Sequence, residues 1–201
     1  MKIVLNSYED PTQGLDWPEQ TPIIIKRLKT HFQAYPEGKI EYHIEETDHG
    51  IGADWPTITL EVLGIAGGVF FGIPALHRKI RETITEWKQI KKTVDSFLEW
   101  LGRKERILSY SIEKAFLDAL EHLESKTDIL ELELLEAIEI PGKSSSMDYS
   151  FKTSQLLYYL FIFREQDERI FILLFNSQLK MLFCKSASLD PRYADKQQLD
   201  L

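Results

Sequence analysis

Ile58-Thr59-Leu60-Glu61-Val62-Leu63-Gly64-Ile65-Ala66-Gly67-Gly68-Val69-Phe70-Phe71-Gly72-Ile73-Pro74-Ala75-Leu76 is the stretch on which the fold turns, because Glu61 is its only charged residue. Gly64, Gly68 and Gly72 recur every fourth residue. On a helix that spacing stacks them along one stripe without side chains, where a second backbone can approach closely. Asp54 supplies a cap for such a helix and Pro56 a first turn. Each glycine costs the helix about 1 kcal/mol against alanine, so a packed partner or lipid has to compensate. Pro74 then kinks or breaks it.

Beyond Pro74, the residues Ile80, Thr83, Trp87, Ile90, Val94, Phe97 and Leu101 fall on the a and d positions of a heptad seam, on a helix that Gly102 terminates. The seam's length and its charged neighbours Lys79, Glu86 and Lys88 favour contact between molecules or domains, whereas Thr83 and Trp87 fit a regular zipper poorly. Trp87, Ile90, Val94, Phe97 and Leu101 are therefore the expected interaction residues, with Gly64, Gly68 and Gly72 as a helix-packing face. Three readings of the glycine stripe stand together: packing within one domain, self-association or a protein partner, and membrane contact. Residues 62–76 are short for a spanning helix, which needs about 20 apolar residues. Extension to Trp55 crosses Glu61, and Arg78, Lys79 and Arg81 follow as a cytoplasmic flank would.

Toward the N-terminus, Lys2 to Leu5 reads as a strand and the run with Pro11, Gly14 and Pro18 as a loop. Thr21 caps a helix with Pro22 at its first position, and Ile24, Ile25, Leu28 and Phe32 recur at helical spacing. Pro36-Glu37-Gly38 stops it. Ile40, Tyr42 and Ile44 then alternate with Glu41, His43 and Glu45 as a half-buried strand. Gly14-Leu15-Asp16-Trp17-Pro18 and Gly52-Ala53-Asp54-Trp55-Pro56 share a Gly-x-Asp-Trp-Pro pattern, read as two similar helix entries.

After Gly102, residues 106–110 suggest a short strand and 112–124 an amphipathic helix with Ile112, Ala115, Phe116, Ala119, Leu120 and Leu123 inward. Residues 129–140 alternate leucine and glutamate with a phase slip at Leu134-Leu135, which predicts a bulged strand. Three aromatic and aliphatic runs, 156–164, 169–175 and 179–184, form a meander. The residues from Asp190 onward read as a polar tail.

The chain of 201 residues is long enough for one large or two small domains, and its net charge of -8 argues against general nucleic-acid binding. A local basic patch lies at Arg78, Lys79, Arg81, Lys88, Lys91 and Lys92. Cys184 is the only cysteine and cannot form an internal disulfide, so an intracellular location is expected. The first residues show no core of a secretory signal.

Candidate chemistry is sparse. Glu41, His43 and Glu45 share a strand face, with Asp48 and His49 just beyond. Weak metal candidates are therefore His43, Glu45, Asp48 and His49, against the alternative of a solvated strand face. Ser111 and Lys114 fit Ser-x-x-Lys, but the Ser-Asp-Asn and Lys-Thr-Gly partners of that motif are absent and Ser111 reads as a cap. Cys184 reads as a structural thiol. The run 64–68 follows no phosphate-loop pattern, and Ser144, Ser145 and Ser146 read as a loop. No catalytic residue and no cofactor are expected.

The run Gly52-Ala53-Asp54, Leu60-Glu61-Val62, Gly64-Ile65-Ala66-Gly67-Gly68, Ala75-Leu76 and Ile84-Thr85-Glu86-Trp87, preceded by a strand, resembles the effector-associated constant component domains of bacterial conflict systems. The resemblance covers about the first half of the chain. It implies a small α+β module that couples effectors to sensors, with no catalytic residues to carry over. The chain departs from that pattern after Trp87, where the helix lengthens and a β-rich region follows.

Together these readings predict an α+β protein: strand-helix-strand, a Gly-rich helix, a long amphipathic helix, then a helix and an antiparallel meander. The expected organisation is 1–102, 103–186 and a tail at 187–201. The expected function is a non-enzymatic interaction or adaptor module that associates through the helix at 74–101. A membrane anchor at 58–76 and a small metal enzyme using His43 and His49 are the alternatives.

Overall fold

In the computed structural model, the described residues are 1–8, 15–47, 56–65, 68–69, 80–127, 132–142, 157–165 and 169–188, with side chains of the long helix described from Lys88 onward. The chain is α+β, with antiparallel sheets throughout. It divides into two compact units.

The first unit is built on a sheet of order β2-β3-β1-β5: β1 (Lys2–Asn6), β2 (Ile40–Thr47), β3 (Thr57–Ile65) and β5 (Arg106–Tyr110), with β4 (Gly68–Val69) pairing β3. Two cross-strand rows set its buried face, Ile44-Leu60-Ile3-Tyr110 and Ile58-Leu5-Ile107, the second running out to the exposed Glu46 at the β2 edge. Ile3, Leu5, Ile58, Leu60 and Val62 are fully buried. Helix α1 (Trp17–Gln33) contributes Ile24, Leu28 and Phe32 to the core, and the long helix α2 (Ile80–Gly102) contributes Val94, Phe97, Leu98 and Leu101. Phe32 lies 4.6 Å from Tyr42 of β2 and 6.3 Å from Phe97, ring centre to ring centre, which ties α1 to both the sheet and α2.

The structure corrects two expectations here. Where it is described, the stretch read as a Gly-rich helix is two antiparallel strands, Thr57–Ile65 and Gly68–Val69. Thr57, Thr59 and Glu61 alternate with Ile58, Leu60 and Val62, the period of a pleated strand, and β3 is paired on both sides, by β1 and by β2. Gly64 sits opposite Glu41 and Val69, and Gly68 opposite Ile65, so neither belongs to a helical stripe. Gly72, with Pro74, lies outside the described residues. Helix α1 begins earlier than Thr21: Asp16 is its cap, its backbone N–H donates to Glu19 at 3.3 Å, and the Thr21 hydroxyl donates back to the Trp17 carbonyl at 3.1 Å inside the helix. Helix α2 does end at Gly102, but without a left-handed glycine, since among the described residues only Gly38 (φ 123°) and Leu179 (φ 63°) have positive φ. The N–H groups of Lys104 and Glu105 instead close on the Leu101 carbonyl, each at 2.9 Å.

The first unit takes in β5 and runs on to Ser111, because β5 pairs with β1, while the start of α2, up to Lys88, groups with the second unit. The second unit contains α3 (Ile112–Glu124) and a four-stranded meander in chain order: β6 (Leu132–Pro141), β7 (Leu157–Glu165), β8 (Arg169–Asn176) and β9 (Met181–Ser188). Alternate residues of β7 and β8, namely Tyr159, Phe161, Phe163, Phe171, Leu173 and Phe175, form one core with Ala115, Phe116, Ala119, Leu120 and Leu123 of α3. The phase slip at Leu134-Leu135 is a bulge, since the register passes from Leu134 directly to Glu136. Leu179, in the β8–β9 turn, holds a conformation disfavoured for leucine, and its side chain packs against this core.

Candidate functional site

Among the described residues, the most developed polar constellation is in the first unit and leaves only a faint trace in the sequence. Helix α1 places Arg27 and His31 one turn apart, beside its apolar stripe of Ile24, Leu28 and Phe32. The turn after α2 brings up Glu105, whose side chain is 4% exposed. Arg27 donates to it twice, Nε to Oε1 at 3.0 Å and Nη2 to Oε2 at 3.1 Å, and Ser7 Oγ donates to Oε2 at 2.9 Å. The same Arg27 Nη2 also donates to the Ser7 carbonyl at 2.9 Å. One carboxylate thus joins the end of β1, the middle of α1 and the end of α2.

The chemistry of this cluster is that of a clamp. A Ser-His-acid relay requires the histidine to take the serine proton while the acid orients the ring. Here Ser7 bonds the acid directly, and His31 Nδ1 stands 3.5 Å from Glu105 Oε1 without a hydrogen-bonded partner. Burial holds the His31 imidazole below the usual histidine range; Glu105 opposes this, and Lys104 and Arg27 add to it. A second polar link lies nearby in the chain: the Tyr8 hydroxyl shares a hydrogen bond of 2.8 Å with Thr21, and Thr21 bonds Glu46 of β2. Burial, with Glu46 adding to it against the opposing Thr21 bond, pushes the Tyr8 phenol up to about 12.

The expected site residues do not converge. Val94, Phe97 and Leu101 are buried completely, so that part of the seam has no surface to offer a partner. This corrects the intermolecular reading for those three; Ile90 is half-buried, and the surroundings of Trp87 lie outside what is described. His43 and Glu45 share the exposed face of β2, with His43 opposite Glu61, while Asp48 and His49 lie outside the described residues. Among the described residues, no three of His, Cys, Asp and Glu are grouped to hold a metal ion. Ser111 accepts from the Lys2 N–H at 3.2 Å and Lys114 pairs with Asp118, so the Ser-x-x-Lys residues have other partners. Cys184 is half-buried against the core under α3, 3.4 Å from Lys126 Nζ. Among the described residues no helix is long and apolar enough to cross a membrane, and the first part of the expected anchor is β3.

The surface features of the second unit are its two sheet edges. Among the described residues no strand pairs with the outer side of β6 or of β9. Of the eight large apolar side chains exposed among the described residues, five lie on these strands, Leu135 and Ile140 on β6 and Met181, Leu182 and Phe183 on β9. Single exposed apolar residues are ordinary, whereas a contiguous run along an open strand edge is a template for pairing. The edges differ in charge: β6 exposes Glu133, Glu136 and Glu139, and β9 exposes Lys185 with Lys180 just before it. No protein-family model, curated protein or solved structure matches this chain.

Proposed function

We propose that the protein is a non-enzymatic interaction module that binds a protein partner or a second copy through the open edges of its C-terminal sheet. The observation that carries this reading is the exposed run Met181-Leu182-Phe183 on β9, whose outer side pairs with no other strand among the described residues. Strand addition at such an edge takes its affinity from backbone hydrogen bonds and its selectivity from alternate side chains. The route first expected, through α2, is closed from Val94 onward by burial. An adaptor of the kind implied by the resemblance to effector-associated constant component domains would act in this way, inside the cell, by docking rather than by chemistry.

The test is crosslinking with mass spectrometry in native extract, comparing the wild type with a variant carrying Met181→Ser, Leu182→Ser and Phe183→Ser. The reading expects crosslinks, to other proteins or to the chain itself, that map to β6 or β9 and disappear in the variant. An unchanged crosslink pattern in a variant that keeps its circular dichroism would refute it.

A further inference from the structure

The register of the C-terminal sheet gives four strands whose residues line up in continuous rows. Ile138 stands opposite Leu160, Leu160 opposite Leu174, and Leu174 opposite Phe183. The next row is Ala137-Phe161-Leu173-Cys184, and the next Glu136-Ile162-Ile172-Lys185. Each row therefore begins on the β6 edge and ends on the β9 edge. Consecutive rows end in an apolar pair, a small pair and a pair of opposite charge.

We propose that copies of this chain associate head to tail, the β9 edge of one pairing antiparallel with the β6 edge of the next, so that each row continues across the junction. This rests on the interaction-module reading above and names its partner as a second copy. In that register Phe183 meets Ile138 of the next copy, Cys184 meets Ala137, and Lys185 meets Glu136.

Three features support this pairing over others. The first is direction. In a meander of four strands β6 and β9 run in opposite senses, so a copy displaced along the sheet presents β6 antiparallel to β9, the sense already used by every pair in the sheet. The second is hydrogen-bond phase. In antiparallel pairs each residue aims its N–H and C=O to one side, so bonded and non-bonded pairs alternate along a row. After four strands the alternation returns to its starting phase, and β6 of the next copy is the strand it calls for. The third is charge. A β9–β9 pair brings together a strand whose only charge is Lys185, and a β6–β6 pair brings together Glu133, Glu136 and Glu139; only the mixed junction joins unlike charges. Among the described residues neither Glu136 nor Lys185 has an ion-pair partner in its own chain, and both are exposed.

A junction between two different edges is heterologous, so it propagates into a ring or a filament rather than stopping at a dimer. The sheet twist of roughly 20–25° per strand decides which.

The experiment is sedimentation velocity on the full chain over a range of protein concentrations at low salt, with three surface variants. Lys185→Glu sets two carboxylates against each other at the junction, and Glu136→Lys sets two ammonium groups against each other. Each is expected to weaken association about tenfold, the combined effect of losing a favourable exposed pair and gaining a like-charge one. The double variant restores an attractive pair with the charges exchanged and is expected to associate as the wild type does. Because the double variant keeps the wild-type net charge and Glu136→Lys lowers the overall negative charge, non-specific repulsion cannot reproduce this pattern. A wild type that stays monomeric at high concentration overturns the head-to-tail assembly, as does a Glu136→Lys variant that associates normally. Either result leaves the crosslinking experiment free to find a different partner on the same edges.

Discussion

Removing Arg27 tests whether the Glu105 cluster holds the first unit together. Glu105 is almost completely enclosed, and its carboxylate accepts two bonds from Arg27 and one from Ser7. Arg27→Met keeps the length of the side chain and removes the charge, leaving a buried carboxylate with one donor. Breaking one side of a fully buried ion pair costs about 3–5 kcal/mol. Arg27 is 33% exposed, so water can replace part of what is lost, and the expected cost is about 2–3 kcal/mol. For a chain of this size each kcal/mol moves the thermal midpoint by about 2–4 °C, which gives a fall of about 4–12 °C. Arg27→Met combined with Glu105→Leu removes both charges and is expected to recover most of the loss, because apolar replacement of a buried pair is often neutral or better. The assay is urea unfolding of the four proteins of the cycle, with a coupling energy of about 2 kcal/mol expected between the two sites. A single-variant loss below about 1 kcal/mol, or additive effects in the double variant, would show that Glu105 does not depend on Arg27.

Phe97→Ala empties a site lined by Phe32, Tyr35 and Trp100 and should cost about 3–5 kcal/mol; unfolding midpoints that vary with protein concentration would instead return the seam to an interface. Burial lowers the pKa of both His31 and His122, aided at His122 by Lys126. The unfolded chain therefore binds more protons than the folded one below about pH 6.5, so stability should fall as pH drops through that value. A denaturation series from pH 8 to 5 checks this, and His122→Asn, which removes one titrating group, should flatten the slope. Gly102→Ala should be tolerated and add about 0.4–1 kcal/mol, since a Cβ there meets only Ile107 Cδ1 at 3.9 Å; a loss of stability would mean that the turn after α2 needs glycine.

The second unit is legible because its signals are local. The apolar period of 112–124 belongs to a helix alone, and the slip at Leu134-Leu135 has one cheap structural outcome, a bulge that keeps Leu132 and Leu134 inward while Ala137 returns to the core face. The first unit misleads where two periods compete in one stretch. Glycines four apart suggest a helix, but Thr57, Ile58, Thr59, Leu60, Glu61 and Val62 alternate β-branched and apolar residues, and these favour a strand. Thr57 and Thr59 are buried, which is why the polar alternation does not read as a solvated face. The Ser7-Arg27-Glu105 cluster leaves only a faint trace, a cation beside an apolar helical stripe. Its carboxylate arrives from 78 residues away, a separation no local pattern encodes.

The buried seam and the open edges belong to one argument about where this chain can associate. A helix whose apolar residues are spent on its own core offers a partner little, and α2 from Val94 onward is in that position. Association then falls to backbone groups that the fold leaves unpaired, and these lie at sheet edges. The first sheet protects its β2 edge with Glu41, His43, Glu45 and Glu46 exposed. In the second sheet β6 carries three glutamates, a bulge and a terminal proline, all devices that discourage indiscriminate pairing. β9 has a bulge at Leu182 but only one charge, a lysine, beside three exposed apolar residues. An edge with so little protection would be a liability unless something specific covers it. In the proposed head-to-tail pairing, the glutamates that guard β6 against other strands are what makes it acceptable to β9.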